Sequence, residues 1–108
     1  MSMTTAEKIS YVQAMVDDPE ATDALVEAYL NKAKFAVLNR RYPMGIPEGV
    51  LDVPEQYTMN QLDLAVRYFL RRGGEGEQIH NENGIHRHYG SVNDEDILME
   101  VIQEIRLS

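Results

Sequence analysis

Residues 54–76 read PEQYTMNQLDLAVRYFLRRGGEG, and this stretch decides the fold. Pro54 stands where a helix can open, because its fixed φ suits a first turn and its missing N–H would have no partner there. Met59, Leu62, Val66, Phe69 and Leu70 then recur at the helical period, with Tyr57, Leu64 and Tyr68 across from them. Gly73-Gly74 ends the run after Arg72. A helix apolar on two sides has to be buried on two sides.

The same period governs the chain on the N-terminal side. Thr4-Thr5-Ala6-Glu7 fits a capping box, so a short helix opens at Thr4 or Thr5 and carries Ile9, Val12, Met15 and Val16. Asp17-Asp18-Pro19 breaks it. A long helix is expected from Pro19 to Arg41, with Glu20 and Asp23 at its positive end and Arg40 and Arg41 at its negative end. Val26, Leu30, Ala33 and Val37 form one stripe of it, while Ala24, Ala28, Phe35, Leu38 and Tyr42 lie roughly opposite. Residues 42–49, YPMGIPEG, hold two Pro and two Gly and form a loop. Beyond residue 92 a last helix is expected, with Asp94, Glu95 and Asp96 in its first turn and Ile97, Leu98, Val101, Ile102 and Ile105 as its apolar side. The expected fold is all-α: one domain over residues 1–108, a bundle of about four helices with two long central ones and short N- and C-terminal ones.

Residues 73–92, GGEGEQIHNENGIHRHYGSV, interrupt this pattern as a long Gly-rich loop or a marginal β-hairpin around Asn83-Gly84. Connections of this length are uncommon in compact domains unless they are functional or disordered. Ile79, His80, Ile85, His86, His88 and Tyr89 are its candidate partner-binding residues, ordered by pairing with another chain.

Composition bounds the chemistry. The 108 residues contain no Cys, which removes disulfides, thiolate metal sites and thiol nucleophiles together. There is no signal-peptide pattern and no run long enough to span a bilayer, so a soluble intracellular domain is expected. His80, His86 and His88 are the only histidines, and without thiolates or a helix-held acidic second shell they are read as solvated loop residues, not a metal site. Ser10, Ser91 and Ser108 lack a nucleophile-elbow context, and Gly73-Gly74-Glu75-Gly76 follows a helix and lacks the P-loop Lys-Ser/Thr. No enzyme signature and no cofactor are expected.

The formal charge of −8 is unevenly spread. Residues 1–30 carry −5, residues 31–72 carry +3, and residues 73–108 carry −6. The net charge opposes DNA binding through the whole surface. The arginines of the middle third are therefore expected to pair with carboxylates, within the fold or on another subunit.

Taken in order, the short helix, the long helix ending in NRRYP, the Pro-led helix ending in AVRYFLRRGGEGE, the polar loop and YGSVNDEDILMEVIQEIRL resemble the head–tail connector (adaptor, head-completion) proteins of long-tailed bacteriophages and prophages. The resemblance runs from Thr5 to Leu107, and it departs from the family in the three loop histidines. It implies a structural virion protein, assembled in the host cytoplasm as a homo-oligomeric ring of about twelve subunits below the portal. Such a ring extends the DNA channel without specific DNA binding, and it joins the portal protein to a tail-proximal head-completion or stopper protein. The expected subunit-interface residues are Phe35, Leu38, Tyr42, Leu64, Tyr68, Arg67 and Arg71. The expected portal contacts are Glu104, Ile105, Arg106 and Leu107, because a terminal element can leave its domain at low cost. The alternative is a small helical interaction or regulatory module with no virion role.

Overall fold

The protein is all-α in a computed structural model that describes residues 2–72 and 94–104. Helix α1 spans Thr5–Val16, α2 Asp23–Arg41, α3 Thr58–Arg72 and α4 Glu95–Leu98, and a 3-10 turn, Glu55–Tyr57, leads into α3. No strand occurs among the described residues. The loop or hairpin expected at 73–92 lies outside them.

The capping box forms as the sequence indicates. Thr4 accepts from the Glu7 N–H at 3.1 Å, and the Glu7 carboxylate accepts from the Thr4 N–H at 2.8 Å. Helix α1 ends at Asp17, which takes a left-handed conformation with φ of 50° and donates its N–H to Gln13. Asp is one of the few residues with a side chain that tolerates this region.

Helix α2 starts later than Pro19. Pro19 and Glu20 instead form a turn closed by the Ala21 N–H on Asp18 O, with the Asp18 carboxylate accepting from the Glu20 N–H. Proline suits the second position of such a turn, and Thr22 then caps α2 through the Leu25 N–H. Pro54 likewise precedes the 3-10 turn instead of beginning an α-helix.

The core is built where α1, α2 and α3 meet. Val26, Leu30, Ala33 and Val37 are buried as one stripe of α2, with Val12 from α1 and Leu62, Leu64, Ala65 and Phe69 from α3. The Phe69 ring meets Tyr29 edge-on, at 6.3 Å between centroids and 83° between planes.

Helix α3 is rolled away from its expected orientation. Met59 and Leu70 are 48% and 60% exposed, whereas Asn60 and Gln61 are buried. Both amides are satisfied, which removes the penalty for burying them. Asn60 donates to Ile97 O and to the Glu100 carboxylate; Gln61 donates to Leu30 O and accepts from the Lys8 ammonium at 2.7 Å. Lys8, itself 5% exposed, also reaches the Asp52 carboxylate at 3.3 Å. This chain of contacts pins α1, α3 and the loop before α3 together.

The last helix is much shorter than expected, ending at Leu98 in place of running on through Ile105. The Glu100 and Val101 N–H groups bond three residues back, and the chain then unwinds. The Ile102 N–H goes to the Tyr57 hydroxyl and the Glu104 N–H to Arg41 O, a carbonyl left open at the end of α2. Residues 94–104 therefore form a strap across the ends of α2 and α3, buried through Ile97 and Val101.

Candidate functional site

Two features of the surface stand out: a cluster of arginines that grips the strap, and two outward helix strips that carry little charge.

Arg40 of α2 forms a two-pronged contact with Glu95, at 2.7 and 2.5 Å. Arg67 of α3 does the same to Asp96, at 2.8 and 2.6 Å. Arg67 and Arg71 also converge on Asp94, whose side chain is only 12% exposed. Arg41 donates to Ile102 O at 2.7 Å and pairs with Glu104 at 3.3 Å. The fork of a guanidinium matches a carboxylate, which is why arginine suits this role and lysine would not. Hydrogen bonding to Arg40 and Arg67 holds the Glu95 and Asp96 carboxyls below the usual carboxylate range. The same contacts raise the two guanidinium groups further.

Next to Arg71 in the last turn of α3, Arg72 pairs with Glu20 at 2.6 Å and lies over the Phe69 ring at 4.0 Å. All five arginines of the described residues are thus engaged by carboxylates of their own chain. The basic middle third seen in the sequence is neutralised largely within the subunit.

This geometry corrects several expected interface residues. Leu38 and Leu64 are 1% and 0% exposed, so they belong to the subunit's own core and offer nothing to a neighbour. Arg67 and Arg71 are committed to the strap. Tyr42 and Tyr68 are half-buried against the core, and Lys32 and Arg71 flank the Tyr68 ring. Phe35 does stand open, at 51% exposure. Glu104 is tied to Arg41 through side chain and backbone, which a freely departing tail would not be. Ile79, His80, Ile85, His86, His88, Tyr89, Ile105, Arg106 and Leu107 lie outside the described residues.

Hydrophobic period placed Ala24, Ala28 and Phe35 opposite the Val26 stripe of α2, where they are exposed, but it did not reveal the outward strip of α3. On α2, with Val26 set at the core, Ala24, Ala28, Asn31, Phe35 and Asn39 fall on the far side at 100° per residue, and all five are exposed. None of them is charged. On α3 the exposed strip is Met59, Asp63 and Leu70, bordered by half-buried Val66. Burial raises the Asp63 carboxyl above its ordinary value, opposed by the nearby Arg67 charge. Each strip lies on the side of its helix turned away from their shared core, so the two face different directions.

Enclosed chemistry is scarce. A cleft of about 140 Å³ between α1, α2 and Asp52 is lined by Lys8, Glu27, Lys34 and Gln61 among others, but the Lys8 ammonium is already committed. Among the described residues no group of three or more His, Asp or Glu is placed to hold a metal, and no helix is long and apolar enough to cross a membrane. Compared with protein-family models, curated proteins and solved structures, the chain has no match in any of the three.

Proposed function

We propose that this chain is a structural subunit of a phage or prophage head–tail connector, assembling as a ring below the portal and leading DNA towards the tail. The observation that carries the proposal is the pair of outward strips on the two long helices. A ring built by rotation needs two different faces on every subunit, turned in different directions. Exposed Phe35 on one helix and exposed Met59 and Leu70 on the other supply such faces. The sequence resemblance from Thr5 to Leu107 supports the same reading. The net charge of −8 suits a channel through which DNA phosphates slide without sticking.

The test is reconstitution on portal-bearing capsids of the parent phage, imaged by electron microscopy. Rings stacked below the portal are expected. A chain that stays monomeric across a concentration series, and leaves portals bare, would identify a regulatory or adaptor module instead.

A further inference from the structure

The strap and the helices it covers are joined by residues 73–93, 21 residues in the sequence. The two ends of that connection nevertheless stand side by side, with Asp94 at 2.9 Å from Arg71 and 3.4 Å from Arg67. A chain of that length has a contour of about 70 Å, far more than this span uses, so chain geometry does not oblige a strap to dock on its own bundle. The strap carries five acids and no base over residues 94–104, and the surface beneath it presents Arg40, Arg41, Arg67 and Arg71. Its remaining anchors are the Tyr57 hydroxyl, the Asn60 amide and the buried side chains of Ile97 and Val101. Every one of these contacts joins the strap to the α2–α3 end of the molecule, and each would form with the same geometry between two chains.

We propose that on assembly the strap of one subunit leaves its own bundle and docks on a second copy of this chain, its Asp94, Glu95 and Asp96 gripped by Arg71, Arg40 and Arg67 of the partner subunit. This rests on the ring reading above and names a contact for it. The occupant follows from what the surface already holds: it accepts this segment in side-chain forks, backbone bonds and apolar packing, and a second copy carries the same segment. Strap and receiving surface are different faces of one subunit, so each copy gives one strap and takes one, the head-to-tail contact that a ring closes. Exchange also leaves every arginine paired. The acidic last third neutralises the basic middle third within the free chain and between chains in the assembly. Cis and trans docking then differ in the tether, which supplies an effective concentration of about 1 mM. A dilute chain therefore keeps its own strap, and copies held side by side at comparable local concentration can trade.

Two measurements test this. In the first, one full-length variant carries Arg40→Glu with Arg67→Glu and another carries Glu95→Arg with Asp96→Arg. Either variant alone sets like charges together, whether its strap docks in cis or on its own kind. Mixed, they match only by exchange: the reversed strap fits the reversed surface, and the unaltered strap fits the unaltered one. Native mass spectrometry should show mixed assemblies exceeding those of either variant alone by about tenfold or more. In the second, the absence of Cys is used: Arg40→Cys and Glu95→Cys are placed in one chain, which is treated with a short bismaleimide before and after assembly on the portal. The dilute chain should give an intrachain link, and the assembled ring a ladder of covalent multimers. Mixed variants that stay folded and apart, or rings that yield intrachain links only, would overturn the exchange while leaving the connector reading intact. If a reversed variant loses its helix content by circular dichroism, the crosslink pattern decides alone. A wild-type chain that forms no assembly even on its portal would overturn both.

Discussion

The strap of residues 94–104 should open by itself, and Ile97→Ala should make that visible. Ile97 is 6% exposed, and Ile→Ala changes in well-packed sites cost about 2–5 kcal/mol. The strap lies at the edge of the core, where surrounding groups can close in, so the lower half applies, about 2–3 kcal/mol. Each 1.4 kcal/mol is a factor of about ten, which predicts a rise of about 30- to 150-fold in the opening equilibrium. Electrostatics contributes less per residue. Glu95 and Asp96 are 53% and 62% exposed, and solvent screens exposed pairs, so Glu95→Gln should change opening far less than Ile97→Ala does. Asp94 is different because it is largely covered. Arg67→Gln with Arg71→Gln strands its carboxylate at 12% exposure, whereas Asp94→Ala only frees two cations near the surface. The arginine pair should therefore cost more than the acid it grips.

Amide hydrogen exchange reads this directly. The reporters are the N–H groups of Leu98, Met99, Ile102 and Glu104, held respectively by Asp94 O, Glu95 O, the Tyr57 hydroxyl and Arg41 O. In the wild type these amides should already exchange faster than those around Val37 and Leu64, because the strap can open without the core, and in Ile97→Ala they should accelerate by that factor. Strap amides as strongly protected as the core amides in the wild type would show that the strap unfolds only with the whole domain. A Glu95→Gln effect as large as that of Ile97→Ala would show that charge, not burial, holds it.

Three further outcomes follow from the same contacts. Because Glu95 and Asp96 titrate below their ordinary range in the folded chain, their contribution is fully present above that range and is lost as pH falls through it; strap amides should gain mobility before core amides do on acidification. Asp63 has the opposite sign: its carboxyl is raised by burial, so folding is penalised above that raised value and not below the ordinary one, and Asp63→Asn should raise the thermal midpoint of the monomer at neutral pH but not under acid conditions. Gln61→Leu takes the nearest acceptor from buried Lys8 and should destabilise by about 1–3 kcal/mol in denaturant melts, with Lys8→Met added in the same chain recovering most of the loss.

How much of this was legible in the sequence depends on what faces each helix. The stripe Val26, Leu30, Ala33 and Val37 was read correctly, because α2 meets the core along one apolar line and solvent on the other side. The stripe of α3 was right at Leu62 and Phe69 but not at its edges, since period alone also set Met59 and Leu70 inside. That reading assumed that amides stay in water. Asn60 and Gln61 instead go inside because they meet carbonyls of the strap and of α2, partners 37 and 31 residues away that no local pattern displays. Their burial rolls the helix and turns Met59 and Leu70 outward around Asp63. The charge pattern misled for a related reason. The signs of the three thirds were plain in the sequence, but only the fold shows that Arg40, Arg41, Arg67 and Arg71 reach the strap of their own chain. Once those pairs are accounted for, the charges left without an ion pair include Lys32 and Lys34 on one side and Asp17, Glu27, Glu48 and Asp63 on the other, so neither sign dominates the remainder.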